Sequence, residues 1–193
     1  MTQLAETSRR ERRAPLSPAP ARADRQSAPA PAVAAPAMAA PIGELIFRPE
    51  LFFLGRTEGA GVVRDPFGRI VRRCRIVTEG AFDPAHQAIH FDETYSYDDG
   101  EVDVWRWVMT GGRDGRYVAA EAKAGAGITG ERRGADYLIS FRRPVGRATG
   151  LLAPRFSTRF TLLAPDLALK RAAVSILGLP VGALTAAHRR LEN

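Results

Sequence analysis

The stretch Phe91-Asp92-Glu93-Thr94-Tyr95-Ser96-Tyr97-Asp98-Asp99-Gly100-Glu101-Val102-Asp103-Val104-Trp105-Arg106-Trp107 decides the fold. Side chains of a strand alternate between its two faces, so Phe91, Glu93, Tyr95 and Tyr97 share one side. Asp98-Asp99-Gly100 is hairpin chemistry, with acidic residues opening a turn and glycine accepting positive φ. Beyond it Glu101, Asp103, Trp105, Trp107 and Met109 again share a face. Two antiparallel strands with an aromatic common side follow, and a helix of period 3.6 would scatter the same residues around its circumference.

Working outward, the pattern repeats in both directions. Residues 56–64 run into Asp65-Pro66-Phe67-Gly68, and residues 70–79 lead toward Asp83-Pro84. Residues 101–110 end in Gly111-Gly112-Arg113-Asp114-Gly115, and further strands are expected at 116–123, 127–132, 135–143 and 155–163. Tyr137, Ile139 and Phe141 alternate onto one face, as do Phe156, Phe160 and Leu162. Residues 167–177 and 182–191 are rich in Ala, Leu and Arg, which favour helix by propensity. The glycines at 178 and 182, flanking Leu179-Pro180-Val181, nevertheless form a hairpin connection, and a barrel ending at 163 would expose an edge. Two closing strands are expected, with a C-terminal helix as the alternative. Regular strands and turns predict an all-β fold, an antiparallel meander closing into a barrel over residues 44–193. Residues 42–54, with Pro49-Glu50 ahead of Leu51-Phe52-Phe53-Leu54, read as an entry segment whose single helical turn plugs the core.

Residues 1–43 form a separate tail. Positions 14–41 hold twelve Ala and seven Pro, a composition without the branched and aromatic side chains that offset the entropy of ordering. Disorder is expected there. Arg9-Arg10 and Arg12-Arg13 resemble the start of a twin-arginine export signal, and Ala37-Met38-Ala39 a cleavage motif. Only Ala interrupted by Pro lies between them, so export does not follow. A cytoplasmic location is expected, with a periplasmic or membrane-associated one as the alternative. No run approaches the roughly 18 apolar residues of a membrane-spanning helix.

The formal net charge of +7 is unevenly spread: six Arg against three acids in 1–41, thirteen Lys and Arg against sixteen acids in 42–141, and nine against two in 142–193. Between Asp83 and Asp103 there is no Lys or Arg at all. Such polarity does not make a nucleic-acid-binding protein, which needs a basic face within its domain. The basic C-terminal third could face an anionic membrane or simply be solvated. Cys74, the single cysteine, lies between Arg73 and Arg75 in a strand and reads as inert packing.

Glu93 is the residue that the aromatic face does not explain. A carboxylate among Tyr and Trp must be paired, hydrogen-bonded or protonated. Tyr95, Tyr97 or an arginine from 70–79 could satisfy it. Glu93, Tyr95, Tyr97, Trp105 and Trp107 are the candidate ligand-binding residues, for a small hydrophobic molecule held inside the barrel. The same face could instead be a filled core. No catalytic set, metal cluster or cofactor loop emerges. His86 and His90 flank a turn, do not share a helix face and read as exposed.

Several of these residues also carry a resemblance. They are Phe53-Leu54-Gly55, then Gly59, Gly61, Asp65 and Gly68, then Gly80-Ala81-Phe82-Asp83, then the acidic Asp-Glu-x-x-x-Tyr-Asp-Asp-Gly core at 92–100, then Trp105-Arg106-Trp107 and Gly115-Arg116-Tyr117. Together they resemble domain-of-unknown-function family 3833, a bacterial lipocalin-like group. The resemblance is good over residues 50–130 and looser beyond. It implies a calycin-type barrel, a lipoprotein habit anchored by an N-terminal lipidated cysteine, and lipid handling. No cysteine precedes Cys74, so the anchor does not carry over. An Arg-rich stretch at 155–171 replaces the family's later Trp-bearing acidic segment. The family supplies no catalytic residues to transfer. The leading expectation is therefore a binder of a small hydrophobic ligand such as a fatty acyl chain, without catalysis of its own. An accessory or catalytic role in lipid modification, with Glu93 as general acid or base, and an interaction protein with an Arg-rich surface are the alternatives.

Overall fold

A computed structural model describes residues 45–145 and 150–191; the expected tail and its export-like features lie outside them. A short helix, α1 (Pro49–Phe52), precedes β1 (Gly55–Arg64), β2 (Ile70–Asp83), β3 (Ala88–Tyr97), β4 (Val102–Gly111) and β5 (Arg116–Glu121). There follow β6 (Gly125–Arg133), β7 (Asp136–Arg142), a 3-10 turn (Gly150–Leu152), β8 (Arg155–Ala164), β9 (Leu167–Ile176) and β10 (Leu179–Arg190). Each strand pairs antiparallel with its sequence neighbour, and β1 pairs with β10 to close the barrel. The expected all-β meander is thus the fold.

The last two strands are strands despite their helical propensity. β9 and β10 pair along their length, from Leu179 opposite Ile176 to Arg189 opposite Leu167. β10 then pairs with β1, so a helix there would leave the flanking strands with unpaired edges.

The two ends of the barrel differ. At one, α1 and its flanks enter the interior, with proline at the helix start and Phe47, Phe52 and Phe53 buried. Phe53 stacks on Phe91 at 4.7 Å between centroids, and Phe47 stacks on Tyr137 at 6.0 Å. The Tyr117 hydroxyl donates to Glu50 at 2.8 Å, which ties the plug to β5. Gly80 permits this seat: a Cβ there would lie 2.0 Å from the Phe53 carbonyl oxygen. This is the closed end. The connections at 65–69, 98–101, 122–124 and 177–178, with 143–145 and 150–154, surround the other, open end.

The acidic hairpin between β3 and β4 is largely offset by the basic strand that it adjoins. Arg72 on β2 reaches Asp99 at 2.7 Å and Glu101 at 2.8 Å, and Arg73 lies 3.7 Å from Asp98. Cys74 is buried on the inner face of β2, and burial raises its thiol pKa, in keeping with packing rather than reactivity. His86 and His90 are exposed beside Asp83.

Candidate functional site

Strand alternation carries Glu93 and Tyr95 inward from β3, Trp105 and Trp107 inward from β4, and Lys170 inward from β9. Lys170 Nζ donates to Glu93 Oε1 at 2.8 Å and to the Tyr95 hydroxyl at 2.5 Å. Both charged side chains are almost fully buried. The rings of Phe160, Tyr95 and Trp105 have their centroids 4.9, 5.2 and 5.9 Å from the ammonium nitrogen. The carboxylate and these ring faces together compensate the loss of water around a buried cation.

Glu93 therefore has a partner that sequence reasoning did not name. Tyr95 is in the cluster as expected, but no arginine of β2 reaches Glu93. Arg72 instead covers the Tyr97 ring, 3.7 Å from its centroid. Lys170 was hidden by an inverted pattern. On β9 the inward residues are Ala168, Lys170 and Ala172, whereas Leu167, Leu169 and Arg171 point outward. Hydrophobic alternation alone would have turned the leucines inward. Ala168, Ala172 and neighbouring Ala186 are the small buried residues that leave room for the long amine.

The interior above and below Lys170 is unequal. Toward the open end lies a chamber of about 260 Å³, lined by Tyr95, Tyr97, Trp105, Phe156, Val174 and Leu184 among others, with Lys170 and Thr158 also on its wall. Toward the closed end only about 30 Å³ remains, between Glu93, Trp105, Trp107, Phe141 and Lys170. Of the five candidate residues, Tyr95, Tyr97 and Trp105 line the chamber, Glu93 and Trp107 border the small void, and Trp105 touches both. The plug half is the filled core and the open half is the cavity.

Electrostatics follow burial. Burial and then the Glu93 charge push the Tyr95 phenol well above its ordinary value, so it stays protonated. Burial likewise raises Tyr97, to about 12. On β10, His188 is fully buried, neither ring nitrogen has a hydrogen-bond partner among the described residues, and its ring meets Phe160 edge-on at 5.9 Å. Burial first, and the Lys170 charge second, lower its pKa to about 4 against an opposing pull from Glu93, so the imidazole is neutral. The neutral ring thus lies beside the Lys170–Glu93 ion pair without adding a charge to it.

At the rim of the chamber a second cluster fixes the connection that follows β7. Arg143, itself buried, donates to Asp103 Oδ2 at 2.8 Å and Oδ1 at 3.0 Å. Its guanidinium covers the Trp105 ring at 4.3 Å, and its Nε lies 3.3 Å from Glu121 without hydrogen-bond alignment. Burial acts to raise the Asp103 pKa, but Arg143, Trp105 Nε1 and Lys123 outweigh it and hold the carboxyl below its ordinary value. The indole of Trp105 is therefore held by Arg143 over its ring and by Asp103 at its Nε1, with the Lys170 ammonium 5.9 Å from its centroid. Among the described residues no group of His, Cys, Asp and Glu side chains is arranged to hold a metal ion.

A family model described as Protein of unknown function (DUF3833) matches residues 43–190, the length of the barrel. The chain belongs to this family. DUF3833 membership agrees with the resemblance carried by the acidic hairpin, whose Glu93 and Tyr95 are two of the three members of the buried cluster. Comparison with curated proteins finds no match. Among solved structures, an S-type phycobiliprotein lyase from Guillardia theta superposes with a TM-score of 0.56 at 12% identity, covering 75% of this chain and 93% of that one. A DUF3598-family protein of unknown function from Nostoc punctiforme gives 0.54 at 13% identity, covering 80% of this chain and 53% of that one. At such identities the likeness is one of fold, and it places this DUF3833 barrel among lipocalin-like, calycin-type architectures.

Proposed function

We propose that the protein binds a small, mostly apolar molecule in the open half of the barrel, with a polar end turned toward Lys170 and Tyr95. The observation that carries this reading is the chamber of about 260 Å³, walled mainly by aromatic and aliphatic side chains, with the neutralised Lys170 cluster on its inner wall and Arg64 and Asp65 at its mouth. That combination, an apolar wall with few convergent polar groups, is the usual make-up of a small-molecule site. The fold likeness to a phycobiliprotein lyase is in keeping with a ligand-holding barrel.

The chamber also shapes the ligand. Its volume is just under the roughly 300 Å³ at which small-molecule pockets usually begin. A fatty acyl chain fits as a short chain, or as one whose remainder extends past the rim. The polar cluster is neutral overall, because Glu93 already balances Lys170. It therefore suits a hydroxyl, carbonyl or amide better than a free carboxylate, which would have to displace Glu93. In this reading Glu93 fixes the amine, Tyr95 and Trp105 contact the ligand, and Tyr97 guards the entrance.

Titration of the tryptophan emission with fatty acids and fatty alcohols of increasing chain length tests the proposal, alongside native mass spectrometry of the purified chain. A saturable change, tighter for the alcohol than for the acid of equal length, is expected. No response to either series, together with no co-purifying small molecule, would overturn it.

A further inference from the structure

We infer that the open end of the barrel docks on an anionic lipid bilayer. Hairpin tips of a water-soluble barrel ordinarily carry turn-forming polar residues, and exposed apolar groups gathered in one place mark an interaction surface. Here the connections and adjoining strand ends around the chamber entrance carry Phe67, Val71, Leu152, Leu177, Leu179 and Val181, all exposed. Phe67 is 84% exposed and Leu179 70%. Leu177 occupies φ +50, a conformation in which a γ-branched side chain is disfavoured and glycine or asparagine is at ease. An apolar residue stands there although a better turn former was available.

The charges beside these tips complement a negative surface. Strand ends and connections over 64–69, 142–145 and 150–155, with the tip at 177–179, carry Arg64, Arg69, Arg142, Arg143 and Arg155 and a single acid, Asp65. Asp65 pairs with Arg69 at 2.7 Å. Arg64 donates to the Gly68 carbonyl, and among the described residues neither it nor Arg155 has a carboxylate partner. At the acidic tip, 98–101, Arg72 and Arg73 offset two of the three carboxylates, so the one net negative charge left there is outweighed by the arginines of the other tips.

A bilayer suits this rim better than a folded partner. The apolar side chains stand on separate tips around a hole, and a fluid interface can admit each one while a rigid surface would need matching pockets. Arginines flanking apolar tips are the arrangement that holds a protein at an interface of anionic headgroups. In that orientation the chamber entrance, lined by Val63, Val71 and Val181, faces the acyl region.

Flotation of the full chain with phosphatidylcholine vesicles, with and without phosphatidylglycerol, tests the inference. Binding is expected to vesicles containing phosphatidylglycerol, weakening as salt is raised. The double substitution Phe67→Asp/Leu179→Asp is expected to lower it at least tenfold, and Leu177→Asn, which relieves the backbone, to weaken it while leaving the fold intact. Leu51→Asp, exposed at the closed end, should bind as the parent does. No binding to either vesicle, binding unchanged in the open-end variants, or equal loss in Leu51→Asp would each overturn the inference. Titrating the same variants in solution with a fatty alcohol as probe, read by tryptophan emission, keeps the two readings apart. Probe binding retained while flotation is lost bears on docking alone, and flotation retained without probe binding overturns only the ligand proposal.

Discussion

Lys170 and Glu93 form the interaction on which the interior depends, and their energetics can be separated by substitution. Lys170→Met leaves the Glu93 carboxylate buried without its cation, which should cost about 3–5 kcal/mol. Exchanging both partners for apolar residues, as in Lys170→Met/Glu93→Leu, removes the stranded charge, and most of the lost stability should return. Urea denaturation of the single and double variants measures the difference. A single variant as stable as the double would mean that Glu93 does not depend on Lys170. His188 makes a second prediction at this scale. Its folded pKa of about 4 lies below the ordinary 6.5, so between these values the unfolded chain binds a proton that the folded chain refuses. Its contribution is fully present above pH 6.5 and is lost as the pH falls toward 4, a change on the order of 3 kcal/mol. His188→Leu should flatten that part of the stability profile. Carboxylates held below their ordinary values by ion pairs, such as Asp103 and Glu58, act mainly at lower pH and leave the window readable.

At the scale of elements, the plug against β2 is the contact most exposed to a single atom. Gly80→Ala would place a methyl group on the Phe53 carbonyl, so α1 must shift from its seat. A loss of about 1–3 kcal/mol is expected, typical of overpacking, and protease cleavage near residue 48 should accelerate. Unchanged stability would show that the plug adjusts freely. The hairpin β3–β4 was legible because alternation and turn chemistry agree there: Glu93, Tyr95, Trp105 and Trp107 all face inward as period two requires. β9 was legible as a strand only through the edge that it closes, and its inner face was not. Ala168, Lys170 and Ala172 point inward because the barrel interior needs space and a counter-charge at that level, a requirement set by Glu93 on β3 across the barrel and by Phe160 on the adjoining β8. Residues 67, 177 and 179 look like ordinary turn neighbours in the chain, and only closure of the barrel brings them to one rim.

For the whole molecule, the division into a filled half and an open half fixes where a ligand can act. Trp105 and Trp107 are neighbours on one face of β4, yet Trp105 lines the chamber and Trp107 borders the residual void near the plug. A ligand entering from the open end meets Tyr97 and Trp105 first and stops at Lys170, since beyond it the rings of Phe53, Phe91 and Phe160 close the interior. Trp105→Phe should therefore abolish most of the ligand-induced change in emission, while Trp107→Phe should keep it. The reverse result would place the ligand in the closed half, which requires the plug to leave, and Gly80→Ala would then enhance binding. With the ligand in the open half, Gly80→Ala lowers stability but leaves affinity within a few-fold of the parent, because the plug and the chamber lie on opposite sides of the Lys170 cluster.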